Sequence, residues 1–130
     1  MSYKYLALEE ILRVHFQIIE DFGGSHGVRD EHRLKSVVKA PQQAIFGQEQ
    51  YPTLHRKAAV YLRNIISDHP FSDGNKRTAL TVCGIFLMRN GNALTAKAKE
   101  LEDFTVQTSV DHLEIEEIAI WLKSHSGKLD

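Results

Sequence analysis

The stretch Ala79-Leu80-Thr81-Val82-Cys83-Gly84-Ile85-Phe86-Leu87-Met88 is apolar at nearly every position. A run of this length and character predicts a helix surrounded by other helices rather than one lying on a surface. The rest of the chain must supply apolar faces to cover it. Immediately ahead of it stands His69-Pro70-Phe71-Ser72-Asp73-Gly74-Asn75-Lys76-Arg77, which puts a histidine, a carboxylate, a carboxamide and two cations next to one another. A polar loop rich in reactive groups is thus set on the end of a central buried helix.

The chain has 130 residues, enough for one substantial core and too few for two, so it is read as a single domain over 1–130. A formal net charge of -1 gives no global steering toward nucleic acid or an anionic membrane, so any anion site must be local. That directs attention to Lys76 and Arg77. The single cysteine, Cys83, has no partner for an internal disulfide and sits in the apolar run, where it reads as an inert core thiol in a reducing compartment. No apolar run is long enough to span a membrane, and Glu9 and Glu10 fall where a signal peptide needs its apolar region, so a cytoplasmic protein is expected.

Apolar residues recur at three- and four-residue spacing from Leu6 to Phe22, predicting an amphipathic helix ended by Gly23-Gly24. His15, on or beside its apolar face, reads as a packing histidine, since nothing near it completes a metal set. Asp30 is a plausible N-cap for a second helix from Glu31 to Lys39, stopped or turned by Pro41. Ala44-Ile45-Phe46-Gly47 reads either as a short strand and turn or as a flap over a pocket, which would add a short β-hairpin flap to the helices. Pro52 suits the first turn of a third helix that ends near Asp68, and Pro70 disfavours helical geometry at His69. The central helix then runs from about Asn75 to a C-cap at Asn90-Gly91. Asn92 to Thr95 reads as a brief extended link. Lys97 to Thr108 and Glu114 to Ser124 supply a fifth and a sixth helix, and 126–130 reads as a frayed tail. With no internal repeat, low-complexity tract or linker, the fold class is all-α, a compact bundle of about six helices.

Helix N-termini carry unpaired N–H groups and a partial positive charge, which favours acidic residues there and disfavours cations by about 0.3–1 kcal/mol each. Here Lys76 and Arg77 stand in the first turn, with Gly74 just ahead of them. Such a site suits a polyphosphate. Asp73 is a carboxylate for a divalent ion that also holds phosphate oxygens, and magnesium takes one or two such ligands. His69 supplies an imidazole, the side chain suited to accept a proton near neutral pH. Asn75 can cap the helix or hydrogen-bond a transferring group. Phe71 reads as an anchor plugging the loop into the core. Each signal alone is common structural furniture; the combination carries the weight.

Residues His69 to Arg77 resemble the signature of the Fic/Doc superfamily, whose usual form is His-Pro-Phe-x-x-Gly-Asn-Gly-Arg-x-x-Arg. Upstream, Phe22-Gly23-Gly24 and the helix after Asp30 are similar to the Doc (death on curing) branch. Downstream, so are Thr78-Ala79-Leu80, Phe86-Leu87 and Arg89-Asn90-Gly91. The resemblance implies a compact helical fold with the signature between two central helices. It implies His69 as general base, Asp73 holding Mg2+ on the phosphates of ATP, and Gly74, Asn75, Lys76 and Arg77 binding those phosphates. It also implies that a flap over 44–51 pairs with the target chain backbone to backbone. Two departures matter: Lys76 replaces a glycine and Leu80 replaces the second arginine. Both are those of the Doc branch, which binds the nucleotide in the reversed sense and transfers the γ-phosphoryl group to a threonine of elongation factor Tu. Lys76 fills space that a glycine leaves open and adds charge, so it joins His69 and Asp73 as a catalytic candidate.

Some relatives carry an inhibitory Ser/Thr-x-x-x-Glu-Gly/Asn helix, a spacing that does not occur in these residues. The resemblance therefore implies inhibition in trans by a small Phd-like antitoxin whose terminal segment docks along the outer helices. Three other readings compete with the toxin-type phosphotransferase. One is a nucleotidyltransferase adding a nucleoside monophosphate to a protein hydroxyl, disfavoured by Lys76 and Leu80. Another is a catalytically silent module acting through its partner on transcription, disfavoured by the intact His69, Asp73, Asn75 and Arg77. A metal-dependent hydrolase is weakest, because no His-x-x-x-His pair occurs. His26, His32, His55, His112 and His125 read as surface or packing histidines.

Overall fold

The computed structural model describes residues 2–130. Six α-helices follow one another as α1 (Leu8–Phe22), α2 (Glu31–Lys39), α3 (Leu54–Asp68), α4 (Asn75–Arg89), α5 (Ala98–Val110) and α6 (Ile115–Ser124). The sequence expectation of an all-α bundle holds. α3 lies between α4 and α6 with α2 also against it, and α4 is flanked in addition by α1 and α5.

Helix starts follow from local chemistry. The Asp30 carboxylate accepts from the Arg33 amide at 3.0 Å, as its position predicts, and Thr53 Oγ1 accepts from the Arg56 amide at 3.2 Å. Pro52 therefore stands ahead of the cap rather than in the first turn of α3. Asn90 closes α4 by donating its carboxamide N–H to the Phe86 carbonyl at 2.8 Å, and Gly91 follows at φ 82°.

Burial falls on α3 as heavily as on α4. Residues 57 to 62 of α3 are all buried, as are Ile65 and Ile66, whereas α4 leaves Met88 56% exposed. The apolar run around Cys83 is thus one half of a central pair. Ala58 and Ala59, both fully buried, belong to the face that α3 turns to its neighbours. Cys83 is fully buried and burial pushes its thiol up to about 12, in keeping with an inert core residue.

Lys57 was hidden from the periodicity. Its ammonium is fully buried and donates to the Pro41 carbonyl and to Glu49 Oε1, both at 2.9 Å. The Tyr3 and Tyr5 rings lie 5.3 and 5.5 Å from it. Burial alone would pull its pKa down, but Glu49 and Tyr5 outweigh that and the net direction is up. Glu49 belongs to a hairpin of β1 (Ala44–Ile45) and β2 (Gln48–Glu49), paired Ala44 to Glu49 and Ile45 to Gln48. Phe46 and Gly47 form its two-residue turn at φ 51° and 78°, the mirror-image geometry that suits tight hairpins. The strand-and-turn reading of 44–47 is the one observed.

Residues 126–130 are not a frayed tail. β4 (Ser126–Lys128) pairs antiparallel with β3 (Asn92–Leu94), Asn92 opposite Lys128, and the Leu129 amide donates to the Gly91 carbonyl at 3.0 Å. His125 stacks on Trp121 with ring centroids 3.8 Å apart, and His55 Nε2 lies 3.0 Å from Ser126 Oγ. Two histidines expected to be structural are therefore what ties this end down. Among the described residues, no helix is long and apolar enough to cross a membrane.

Candidate active site

The residues singled out in the sequence come together. His69, Ser72 and all five residues from Asp73 to Arg77 line one depression of about 320 Å3 between the end of α3 and the start of α4. His69, Asp73, Lys76 and Arg77 are exposed there, while Phe71 is fully buried beneath them. The anchor role read for Phe71 is the observed one. Its ring stacks on that of His15 with centroids 3.8 Å apart and planes 5° from parallel.

His69 ends α3 in the left-handed conformation, φ 46° and ψ 59°. A residue with a Cβ pays about 1–2 kcal/mol for that geometry, so the surroundings must impose it. Part of the imposition comes from 27–30, which runs antiparallel to the loop. Val28 bridges Phe71, the Ser72 amide donates to the Gly27 carbonyl at 3.1 Å, and the Arg29 and Asp30 amides donate to the Pro70 carbonyl at 2.8 and 3.1 Å. The guanidinium of Arg33 donates to the Asp68 carbonyl at 2.9 Å, complementing the negative end of α3. Arg29 adds two further bonds, to the carbonyls of Asp68 at 2.8 Å and His69 at 2.7 Å.

Asp73 is held from the other side. Its Oδ1 accepts from the Gly74 amide at 2.9 Å and its Oδ2 from the Ser25 amide at 3.2 Å. Gly24 makes the second bond possible: a Cβ there would lie 2.6 Å from Oδ2, and φ 111° disfavours a side chain in any case. Gly74 is the N-cap of α4 at φ 73°, and a Cβ on it would meet Ile19 Cδ1 at 3.0 Å. Seating the loop on α1 thus accounts for this glycine.

Asn75 does not cap α4. Its carboxamide Oδ1 accepts from the Phe71 amide at 3.1 Å and its Nδ2 donates to the Phe71 carbonyl at 3.0 Å, closing the loop on itself. The first turn of α4 therefore has no side-chain cap and no acidic residue, and Lys76 and Arg77 stand in it as the sequence indicates. The Arg77 guanidinium lies 4.2 Å from the Phe22 ring centroid and 3.9 Å from Glu102 Oε1. Both contacts are exposed and worth at most about 1 kcal/mol, so the cation is available to a stronger anion.

His15 packs, as expected, and does something more. Its Nε2 faces the Asp73 carbonyl at 2.9 Å, so this nitrogen carries the proton and donates. Burial pulls its pKa below the ordinary value, opposed in part by that bond and aided by His26. An unfolded His15 thus takes up a proton first as the pH falls below about 6.5, its ordinary value. Stability from this group is complete above that pH and is lost as the pH drops toward the lower folded value. Between about pH 7.5 and 5.5, the urea midpoint of the wild type is expected to fall further than that of His15→Gln. Equal falls would contradict the account.

The sequence missed Gly24, Ser25 and Arg29 as supports of this loop, and Arg33 as a partner of the last carbonyl of α3. Their only local signal is the Gly-Gly step and a charged loop, and all act from more than 30 residues away. Among the described residues, no group of three or more His, Cys, Asp or Glu side chains is placed to hold a metal alone.

The comparisons bear on the same residues. A family model described as the Fic/DOC family matches residues 5–87. The chain is 40% identical over 90 residues to "Toxin Doc" of Mycolicibacterium smegmatis, covering 69% of this chain and 65% of that protein's length. It is 29% identical over 127 residues to "Protein kinase doc" of Escherichia phage P1, covering 98% of this chain and 99% of that protein. The matched stretch takes in more than half of the chain and every residue of the depression between α3 and α4, so the chain belongs to the Fic/DOC family.

Proposed function

We propose that this protein is the toxin of a toxin–antitoxin pair and that it transfers the γ-phosphoryl group of ATP to a threonine hydroxyl of a translation factor, with elongation factor Tu as substrate. The observation that carries the reading is the depression itself, in which an exposed imidazole and one carboxylate face an uncapped helix start bearing Lys76 and Arg77. The names of the two relatives, a toxin and a protein kinase, support it.

In this reading His69 accepts the hydroxyl proton as the threonine oxygen attacks the γ-phosphorus and ADP leaves. Lys76, Arg77 and the amides at the start of α4 neutralise the phosphate oxygens, Gly74 and Asn75 shaping that cradle. Phosphoryl transfer needs mainly positioning and charge stabilisation, which a loop braced on three sides supplies. Asp73 fits Mg2+: each carboxylate oxygen accepts one N–H and keeps further acceptor capacity, and the residue is exposed. Bound there, the ion would neutralise phosphate charge.

Lys76 favours transfer of the terminal phosphoryl group over nucleotidylation, because it occupies the place of a glycine with bulk and charge. The deciding experiment incubates the protein and elongation factor Tu with ATP labelled either at the γ-phosphate or in the adenine. Label reaching the acceptor only from the γ-phosphate is expected. Label arriving only from the adenine would establish the nucleotidyltransferase, and none from either would leave a silent module.

The antitoxin, in this proposal, lays its terminal segment in the apolar cleft of about 330 Å3 between α1, α4 and α5, floored by Ile18, Phe22, Leu80 and Leu101. Purification of active protein in quantity from cells lacking any partner would count against such control.

A further inference from the structure

The strained backbone of His69 needs a cause, and the ring does not supply one, since the residue is exposed. The two peptide planes flanking its Cα do. One carries the Asp68 carbonyl and the other the His69 carbonyl, and the relative orientation of those planes is the φ,ψ pair of residue 69. Arg29 grips both: Nη2 donates to the Asp68 carbonyl at 2.8 Å and Nε to the His69 carbonyl at 2.7 Å. Nε–H and one Nη2–H project from the same edge of a rigid planar group, so both carbonyls are drawn to one side. At the end of a right-handed helix, the left-handed turn found at His69 accomplishes that.

From this geometry we infer that Arg29 is a positioning residue for the proposed base. It lies 40 positions from His69, outside the loop motif, and touches none of the reacting groups assigned above. It sets the torsions of residue 69 and thereby the direction in which the imidazole leaves the backbone. Its own place is fixed, because its amide donates to the Pro70 carbonyl and Val28 beside it bridges Phe71. Arg33 is the natural contrast. Of the two carbonyls its guanidinium bonds only that of Asp68, with Asp30 Oδ2 3.4 Å from its Nε, so it caps α3 but grips one of the two planes only.

The inference rests on His69 being the base of the proposed transfer, and its test separates the two ideas. The protein is labelled with 13C at histidine Cε1, and the His69 signal is assigned by its loss in His69→Gln. In Arg29→Lys, which keeps the charge but not the planar edge, the His69 signal is expected to shift or broaden. Transfer from γ-labelled ATP to elongation factor Tu is expected to slow by about 10- to 100-fold, with the KM for ATP within about twofold, since misplacement of a reacting group by an ångström has effects of that order. Arg33→Gln is expected to leave the His69 signal and the rate in place while lowering the melting temperature. A His69 signal unmoved in Arg29→Lys overturns the inference, as does an Arg33→Gln variant that shifts it equally. If the wild type transfers nothing while the His69 signal still depends on Arg29 and not on Arg33, the function proposed above fails and the positioning role stands.

Discussion

Phe71→Ala is expected to lower the free energy of unfolding by about 3–5 kcal/mol, the range for truncating a buried aromatic side chain. The ring is fully buried, so its loss removes transfer energy and leaves a cavity where the loop meets the core. The damage should not stay local. The ring is the stacking partner of His15, whose imidazole donates to the Asp73 carbonyl, and the backbone of the same residue is clasped by Asn75 and bridged to Val28. Phe71→Leu refills most of the volume and should cost well under half as much. Urea titrations with matched slopes measure both; a loss below about 1 kcal/mol for the alanine variant would show that the loop is held by its backbone contacts alone.

His69→Gly should separate function from stability. Glycine adopts the left-handed conformation at little steric cost, so relief of strain, less the greater freedom of the unfolded chain, is expected to raise stability by about 0.5–1 kcal/mol. His69→Ala, which keeps a Cβ at φ 46°, should show no such gain. Both variants lose the proposed base, and transfer from γ-labelled ATP is expected to fall by about 10²- to 10⁴-fold. A glycine variant that is more stable and still active would remove His69 from the chemistry. One that is less stable would mean the exposed ring makes a contact that offsets the strain.

Most of the helices were legible because burial imprints a period of about 3.6 on the sequence, which α1, α2, α3 and α6 carry plainly, whereas α4 was legible from an apolar run with almost no polar face. The short strands were not. Ser126, Gly127 and Lys128 have neither alternation nor β-branched side chains, and they are extended because Asn92 to Leu94 offer them a partner. Pairing of that kind is a property of two segments and leaves no mark in one. Lys57 was missed for another reason: a charged side chain adds nothing to an apolar pattern, yet its stem packs and its ammonium finds Pro41 and Glu49.

The site divides in the same way. His69, Asp73, Lys76 and Arg77 were readable because the chemistry is concentrated in one loop. What braces that loop was not, because His15, Gly24, Ser25 and Arg29 act across 40 to 58 positions of chain. Gly74 and Asn75 were found for reasons the structure extends: one seats the loop on α1 and the other ties it to Phe71.

The junction at Asn90-Gly91 gathers more than the end of α4. Lys4 exchanges hydrogen bonds with the Asn90 side chain at 2.9 and 3.1 Å, and Leu129 bonds the very next residue. Two segments far apart in the gene therefore meet within reach of a linker of a few residues. Circular permutation is accordingly open to this fold: a chain joined between those segments and cut at the exposed Phe46-Gly47 turn keeps the loop and the α3–α4 pair on one continuous stretch and moves the braces at 15–29 from before that stretch to after it.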